Sequence, residues 1–404
     1  MDLHSKIRKS FLFVVIILLI TSSIFAQDDN DKKLSFFGQN YYGFATNSNH
    51  LRKSNGYMTF DVAANYQTAP VNNNIFDYSY NYPILGVGIS VSRFSEFLMD
   101  EGSFLPDVYT VYGSFERKLH SNDKFTSGFL LNLGITTNVC RYDPVNNPGN
   151  TFLSSTIMCY FGGGFYAKTL IGKHFELGLD FMYRHYSNGM LSLPNGGIDV
   201  LGAGIFVQYN FYKKEPIVMT YIPEPSYNKG FQYHITFSGG IHSCRAEWKA
   251  YNEMVEDVQQ KQTTFAKHPK LSLSFDVMYR YALKYASGIS LDLFYSSNID
   301  ELKQCDEIIY GNDILNGVRY SAISLGISFV NELYYKNLAG YLAFGVYPYR
   351  ELGLFCDEWH YEKAGLRYYF DDFHGLFAGF AIKAHNFDAE YLEFSLGIRF
   401  LNLR

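Results

Sequence analysis

The chain has 404 residues, a formal net charge of −5 and no run of basic residues after Lys6, Arg8 and Lys9. It therefore lacks the electrostatic footprint of a nucleic-acid binder. Aromatic residues make up 18% of it, with 35 Tyr and 36 Phe against 11 Pro, which suits strands with aromatic girdles at two membrane interfaces; a soluble β-sandwich stays open and would need polar outward-facing positions.

The N-terminus sets Lys6, Arg8 and Lys9 before the apolar run 11–20, followed by Ser22, Ser23 and Ala26. This layout predicts a signal peptide over residues 1–26 and export of the rest. No later stretch reaches the ~18 consecutive apolar residues of a membrane helix.

Alternation of apolar with small or polar residues then predicts strands over 34–46, 56–68, 82–94, 108–119, 125–138, 153–170, 175–187 and 198–211. An asparagine-rich loop, Asn72 to Asn74, precedes the third. Strands of this number close a small barrel filled by its own side chains. Residues 213–229 contain Pro216, Pro223 and Pro225 and interrupt the pattern, as a linker would. Alternation resumes over 231–243, 270–283, 286–297, 318–333, 338–349, 361–370, 375–387 and 391–400.

The expected fold is all-β, an antiparallel up-and-down outer-membrane barrel. Two arrangements fit: two tandem barrels of about eight strands, or one barrel of roughly 14–16. The expected division is a first barrel region at 27–213, a linker at 214–229 and a second barrel region at 230–404. In the second region Lys363, Arg367, Lys383 and His385 fall on the inward face. They would plug a narrow barrel or line a wide, water-filled one.

The stretch from His185 to Asp199 carries the chemistry. In 175–187, Leu177, Leu179, Phe181, Tyr183, His185 and Ser187 share one face. In 198–211, Asp199, Leu201, Ala203, Ile205 and Val207 share one. The oily stripe on both strands thus ends in the residue types of an acyl-transfer triad, although a His and a Ser at a strand end also suit binding of water or a turn. Neighbouring strands lie ~4.8 Å apart and residues i and i+2 ~6.6 Å apart, so the three side chains can converge at one hairpin end. Ser187 would be the nucleophile, His185 its general base and Asp199 the group that fixes the imidazole tautomer.

His185-Tyr186-Ser187-Asn188, Pro194-Asn195-Gly196-Gly197-Ile198 and then Asp199 together resemble the lipid A 3-O-deacylase (PagL-type) family of acyloxyacyl hydrolase-like outer-membrane barrels. That family carries Glu where this chain has Asp199, one methylene shorter. The resemblance implies base, nucleophile and acid roles for His185, Ser187 and Asp199, and a lipid A or lipopolysaccharide substrate. If the first strand rises from the periplasm, the hairpin end carrying the triad lies in the outer leaflet and faces lipid, where that substrate resides. For the oxyanion, the side chains of Asn188 and Asn195 and the backbone around Gly189 are the candidates; both asparagines also suit turns.

Other clusters are weaker. His385 lacks a nucleophile two residues on, where Phe387 stands, so it reads as an inward structural histidine. Cys356-Asp357-Glu358-Trp359-His360 mixes ligand types in a loop without metal spacing, and Asp371-Asp372 marks a turn. The five cysteines, Cys140, Cys159, Cys244, Cys305 and Cys356, show no metal-binding spacing and leave one disulfide open among the last three. The sequence therefore predicts an outer-membrane serine esterase that needs no metal or cofactor and acts on a lipid acyl ester, with a homodimer left open. The rival is a non-enzymatic porin or adhesin-like barrel with a vestigial motif.

Overall fold

The computed structural model describes residues 33–46, 56–69, 74–94, 103–105, 107–137, 141–214, 229–370 and 372–401. The expected signal peptide, most of the expected linker, Cys140 and Asp371 lie outside the described residues.

Eight strands form the first closed barrel: β1 (Leu34–Ala45), β2 (Tyr57–Gln67), β3 (Ile84–Arg93), β4 (Val108–Ser121), β5 (Phe125–Thr137), β6 (Ile157–Ile171), β7 (Phe175–Ser187) and β8 (Ile198–Asn210). It closes by antiparallel pairing of β1 with β8, for example Tyr42 with Ala203. The second barrel contains β9 (Gly230–His242), β10 (His268–Arg280), β11 (Tyr285–Ser296), β12 (Ile323–Tyr335), β13 (Leu338–Tyr349), β14 (His360–Tyr369), β15 (Leu376–His385) and β16 (Asp388–Leu401). Pairing of β16 with β9 closes it, Leu396 facing Phe237. Of the two arrangements open at the sequence level, the pair of eight-stranded barrels is the one formed.

Alternation decides what each barrel encloses. In β7 the residues Glu176, Asp180, Met182 and Arg184 are buried inward, while Leu179 on the outer face is 60% exposed. Phe165, Ile205 and Phe394 are likewise outward and exposed, so both barrels present oily outer walls. The interiors are polar and filled. Arg184 Nη2 lies 2.6 Å from Asp61 Oδ2, and its guanidinium sits 4.1 Å from the centre of the Tyr41 ring. Lys168 pairs with Glu116 at 2.6 Å. In the second barrel Arg367 bridges Asp276 and Glu332 at 3.1 and 2.8 Å, and Lys363 stands 3.5 Å from Asp292 and 3.6 Å from Glu393. The inward cations thus form a plug network, in which Arg184, Lys168, Arg367 and Lys363 each stand beside a carboxylate, as a low-dielectric interior favours. His385 is buried beside Lys383 and Glu390 and shares a hydrogen bond of 2.9 Å with the Tyr347 hydroxyl.

Short helices, absent from the strand pattern, cap the barrels. Helix α1 (Ile75–Ser79) begins where Asn74 Oδ1 accepts from the Phe76 and Asp77 backbone N–H groups at 2.9 and 3.2 Å, an N-cap that the asparagine-rich loop supplies. Helices α2 (Arg245–Trp248), which runs into a wider turn over Lys249–Glu253, and α3 (Ile299–Tyr310) cover the second barrel. There the disulfide left open among Cys244, Cys305 and Cys356 is not formed. Cys244, Cys305 and Cys356 are free thiols packed with Ala246, Ala250, Leu302 and Leu352. They behave as small apolar side chains, and burial pushes the Cys244 thiol up to about 11.

The barrels touch at both ends. Asp77 of α1 is buried against the second barrel, accepting from the Tyr335 hydroxyl at 2.6 Å and pairing with Lys336 at 3.0 Å. Tyr80 donates to the Tyr334 carbonyl and Lys284 to that of Ser79, both at 2.9 Å. At the opposite end the contacts run through the β7–β8 loop.

Candidate active site

β7 and β8 pair in the register that sets His185 opposite Asp199. Both residues, with Ser187, keep the outward parity of the oily stripe. Their inward neighbour Tyr186 is wholly buried and anchors the end of β7, its hydroxyl 2.6 Å from that of Tyr57 and 2.9 Å from Ser92 Oγ. The Asp199 carbonyl accepts from the Thr46 backbone N–H at 2.9 Å, tying the start of β8 to β1.

On this frame His185 Nδ1 lies 2.6 Å from Asp199 Oδ1 and His185 Nε2 lies 2.8 Å from Ser187 Oγ. A carboxylate only accepts, so Asp199 holds the imidazole proton on Nδ1 and leaves Nε2 with a lone pair aimed at the serine hydroxyl. Ser187 is 5% exposed, whereas the His185 and Asp199 side chains keep 33% and 22% of their surface. The serine is sheltered and the histidine edge is reachable from the outer wall.

Two further residues complete the arrangement. Tyr183, one step earlier on the outward face, donates its hydroxyl to Asp199 Oδ1 at 2.5 Å, and its ring lies nearly parallel to that of His185, 13° apart in plane. Its shared parity with His185 was visible in the sequence, but not its reach to the neighbouring strand. A second hydrogen bond to a charged oxygen is worth roughly 1.5–3 kcal/mol. Tyr183→Phe is expected to cut kcat about tenfold with little change in KM, measured on an ester substrate in detergent; an unchanged kcat would remove Tyr183 from the site.

Gly197 is the other. It has φ +63°, and a Cβ there would sit 3.3 Å from His185 Cε1 and 3.5 Å from Ser187 Cβ. Only glycine takes this conformation without a penalty of roughly 1–2 kcal/mol while passing so close to His185. Gly197→Ala is expected to lower kcat about tenfold without loss of the folded barrel, as judged by its heat-dependent gel mobility.

The loop 188–197 is folded back on itself and on residues 150–154. Asn188 N donates to Asn195 Oδ1 at 3.0 Å, and Gly196 N and Gly197 N donate to the Thr151 and Phe152 carbonyls at 3.0 and 3.2 Å. Asn188 Nδ2 donates to the Ser192 carbonyl at 2.9 Å and to Ser154 Oγ at 3.1 Å. Both of its amide hydrogens are thereby spent on the loop. Among the described residues the Asn195 amide nitrogen makes no hydrogen bond, so of the two asparagines it is the one with donors to spare. Among the described residues no cluster of three His, Cys, Asp or Glu side chains could hold a metal ion. In the 356–360 cluster Glu358 pairs with Arg350 at 2.9 Å.

Residues 231–402 match the family described as acyloxyacyl hydrolase, C-terminal domain. The match covers the second barrel and stops short of the triad, which stands on the first. No curated protein matches the chain. Among solved structures it is similar to the Acinetobacter baumannii outer membrane protein Omp33, with 7% identity over 92% of this chain and 100% of that one and a TM-score of 0.16. It is also similar to the NanC porin, with 8% identity over 91% and 97% of the two chains and a TM-score of 0.15. Likenesses at these scores speak to no activity.

Proposed function

We propose that the protein is an outer-membrane serine hydrolase that cleaves an ester-linked acyl chain from a membrane lipid, lipid A by resemblance. The observation that carries this reading is the continuous chain of hydrogen bonds from Asp199 through His185 to Ser187, 2.6 and 2.8 Å long, on a barrel wall otherwise fit only for hydrocarbon. Polar groups set against hydrocarbon cost free energy unless hydrogen-bonded, and these three satisfy one another in the order that acyl transfer needs. The family match of the second barrel to acyloxyacyl hydrolases supports the same class of reaction.

The chemistry follows from the geometry. Ser187 Oγ attacks the acyl carbonyl carbon as His185 Nε2 takes its proton, and Asp199 stabilises the imidazolium. The oxyanion draws on Asn195 and nearby backbone N–H groups. Collapse expels the sugar oxygen, which receives the proton from His185, and leaves an acyl ester on Ser187. Water, deprotonated by His185, then releases the fatty acid. The acyl chain reaches Ser187 sideways along the wall of Phe181, Tyr183 and Leu201, without leaving the bilayer.

Incubation with a fluorophosphonate probe tests this reading: one label per chain, on Ser187, is expected, together with loss of one fatty acid from purified lipid A by mass spectrometry. A protein that neither labels nor deacylates would leave only a pair of closed barrels.

A further inference from the structure

The proposed triad stands on the first barrel, and what the second does for it is visible where they meet. The β7–β8 loop bonds to its own barrel through Asn188, Gly196 and Gly197, and Leu191 N donates back to the Asn188 carbonyl at 3.2 Å, but the tip carbonyls of Met190 and Leu191 bond elsewhere. The Met190 carbonyl accepts from the Ser243 backbone N–H at 2.8 Å. The Leu191 carbonyl accepts from Lys267 Nζ, which also donates to Ser243 Oγ at 2.7 Å. Gly189 lies so close to Leu392 of β16 that a Cβ would meet the leucine Cγ at 2.4 Å. Met190 and Leu193 are buried with Phe265, against Trp248 and Ala389, and Trp248 also meets the Tyr142 ring at 5.0 Å.

Room for this docking comes from the second barrel's own hairpin. There β15 and β16 are joined by Asn386 and Phe387 alone, both at positive φ, where the first barrel spends residues 188–197. The tip of that longer loop rests on the wall of β16 beneath the short turn.

From these contacts we infer that the second barrel is the holder of the nucleophile loop, with Lys267, Ser243 and Leu392 as positioning residues for Ser187. The inference rests on the hydrolase reading for its catalytic consequence and on contacts alone for the docking. Gly189 and Met190 both have positive φ, +58° and +67°. A tip so bent, with its carbonyls at 190 and 191 met only by the second barrel among the bonds described, loses its reference when those donors are removed. Ser187 is two residues from Gly189, and a displacement near 1 Å at a nucleophile can cost about 100-fold in rate.

The test uses the full chain and two readouts. Lys267→Met is expected to speed amide hydrogen exchange across residues 187–195 and to lower kcat and the rate of fluorophosphonate labelling about tenfold, with KM nearly unchanged, and Lys267→Arg is expected to restore both. Unchanged exchange in Lys267→Met overturns the docking role, and faster exchange with unchanged kcat overturns the positioning role. If the wild-type chain neither labels nor turns over substrate, the hydrolase reading fails, and exchange alone still decides whether the second barrel holds the loop.

Discussion

Ser187→Ala is expected to lower the release of fatty acid at least about 10⁴-fold and to abolish fluorophosphonate labelling, while the protein still runs as a folded barrel on unheated gels. The hydroxyl is the only group removed, and its one hydrogen bond in the triad is that to His185 Nε2 at 2.8 Å. Asp199→Asn is expected to cost a similar factor for a different reason. An amide can present its NH₂ to Nδ1, and the imidazole then places its proton on Nε2, where it can no longer take one from serine. Lipid A mass spectra of membranes containing each variant read both effects. A Ser187→Ala protein that still deacylates would end the proposal.

The largest structural loss is expected from Arg184→Met. Arg184 is 1% exposed, and its fork meets both carboxylate oxygens of Asp61, at 2.6 and 3.3 Å, inside the first barrel. Removing the cation leaves the Asp61 charge buried without its partner, which typically costs 3–5 kcal/mol. Urea titration of the refolded barrel in detergent should show an unfolding free energy lower by that amount. The double variant Arg184→Met with Asp61→Leu is expected to recover much of it, because no stranded charge remains. Equal losses in the single and double variants would mean that the guanidinium acts through its packing on Tyr41 instead.

Much of this protein was written in its alternation. Leu177, Leu179, Phe181 and Tyr183, like Leu201, Ala203, Ile205 and Val207, share a face with His185, Ser187 and Asp199, and that parity alone placed these three side chains outward, since a strand exposes every second side chain to the same side. It also assigned Lys363, Arg367, Lys383 and His385 to an interior, and put the β7 and β8 boundaries within a residue of where they fall.

Alternation is silent on which strand meets the first. Leu34 to Ala45 would look the same paired to β8 or to β16, so one barrel or two was decided only by the closure of β1 on β8 and of β9 on β16. Closure depends on tilt and register around the whole ring, which no single strand encodes. The Asn188 side chain, the approach of Gly197 to His185 and the grip of Ser243 and Lys267 on the loop tip were likewise fixed by tertiary contacts. These depend on how the loop folds back and on residues of the other barrel, and leave no periodic mark on the chain.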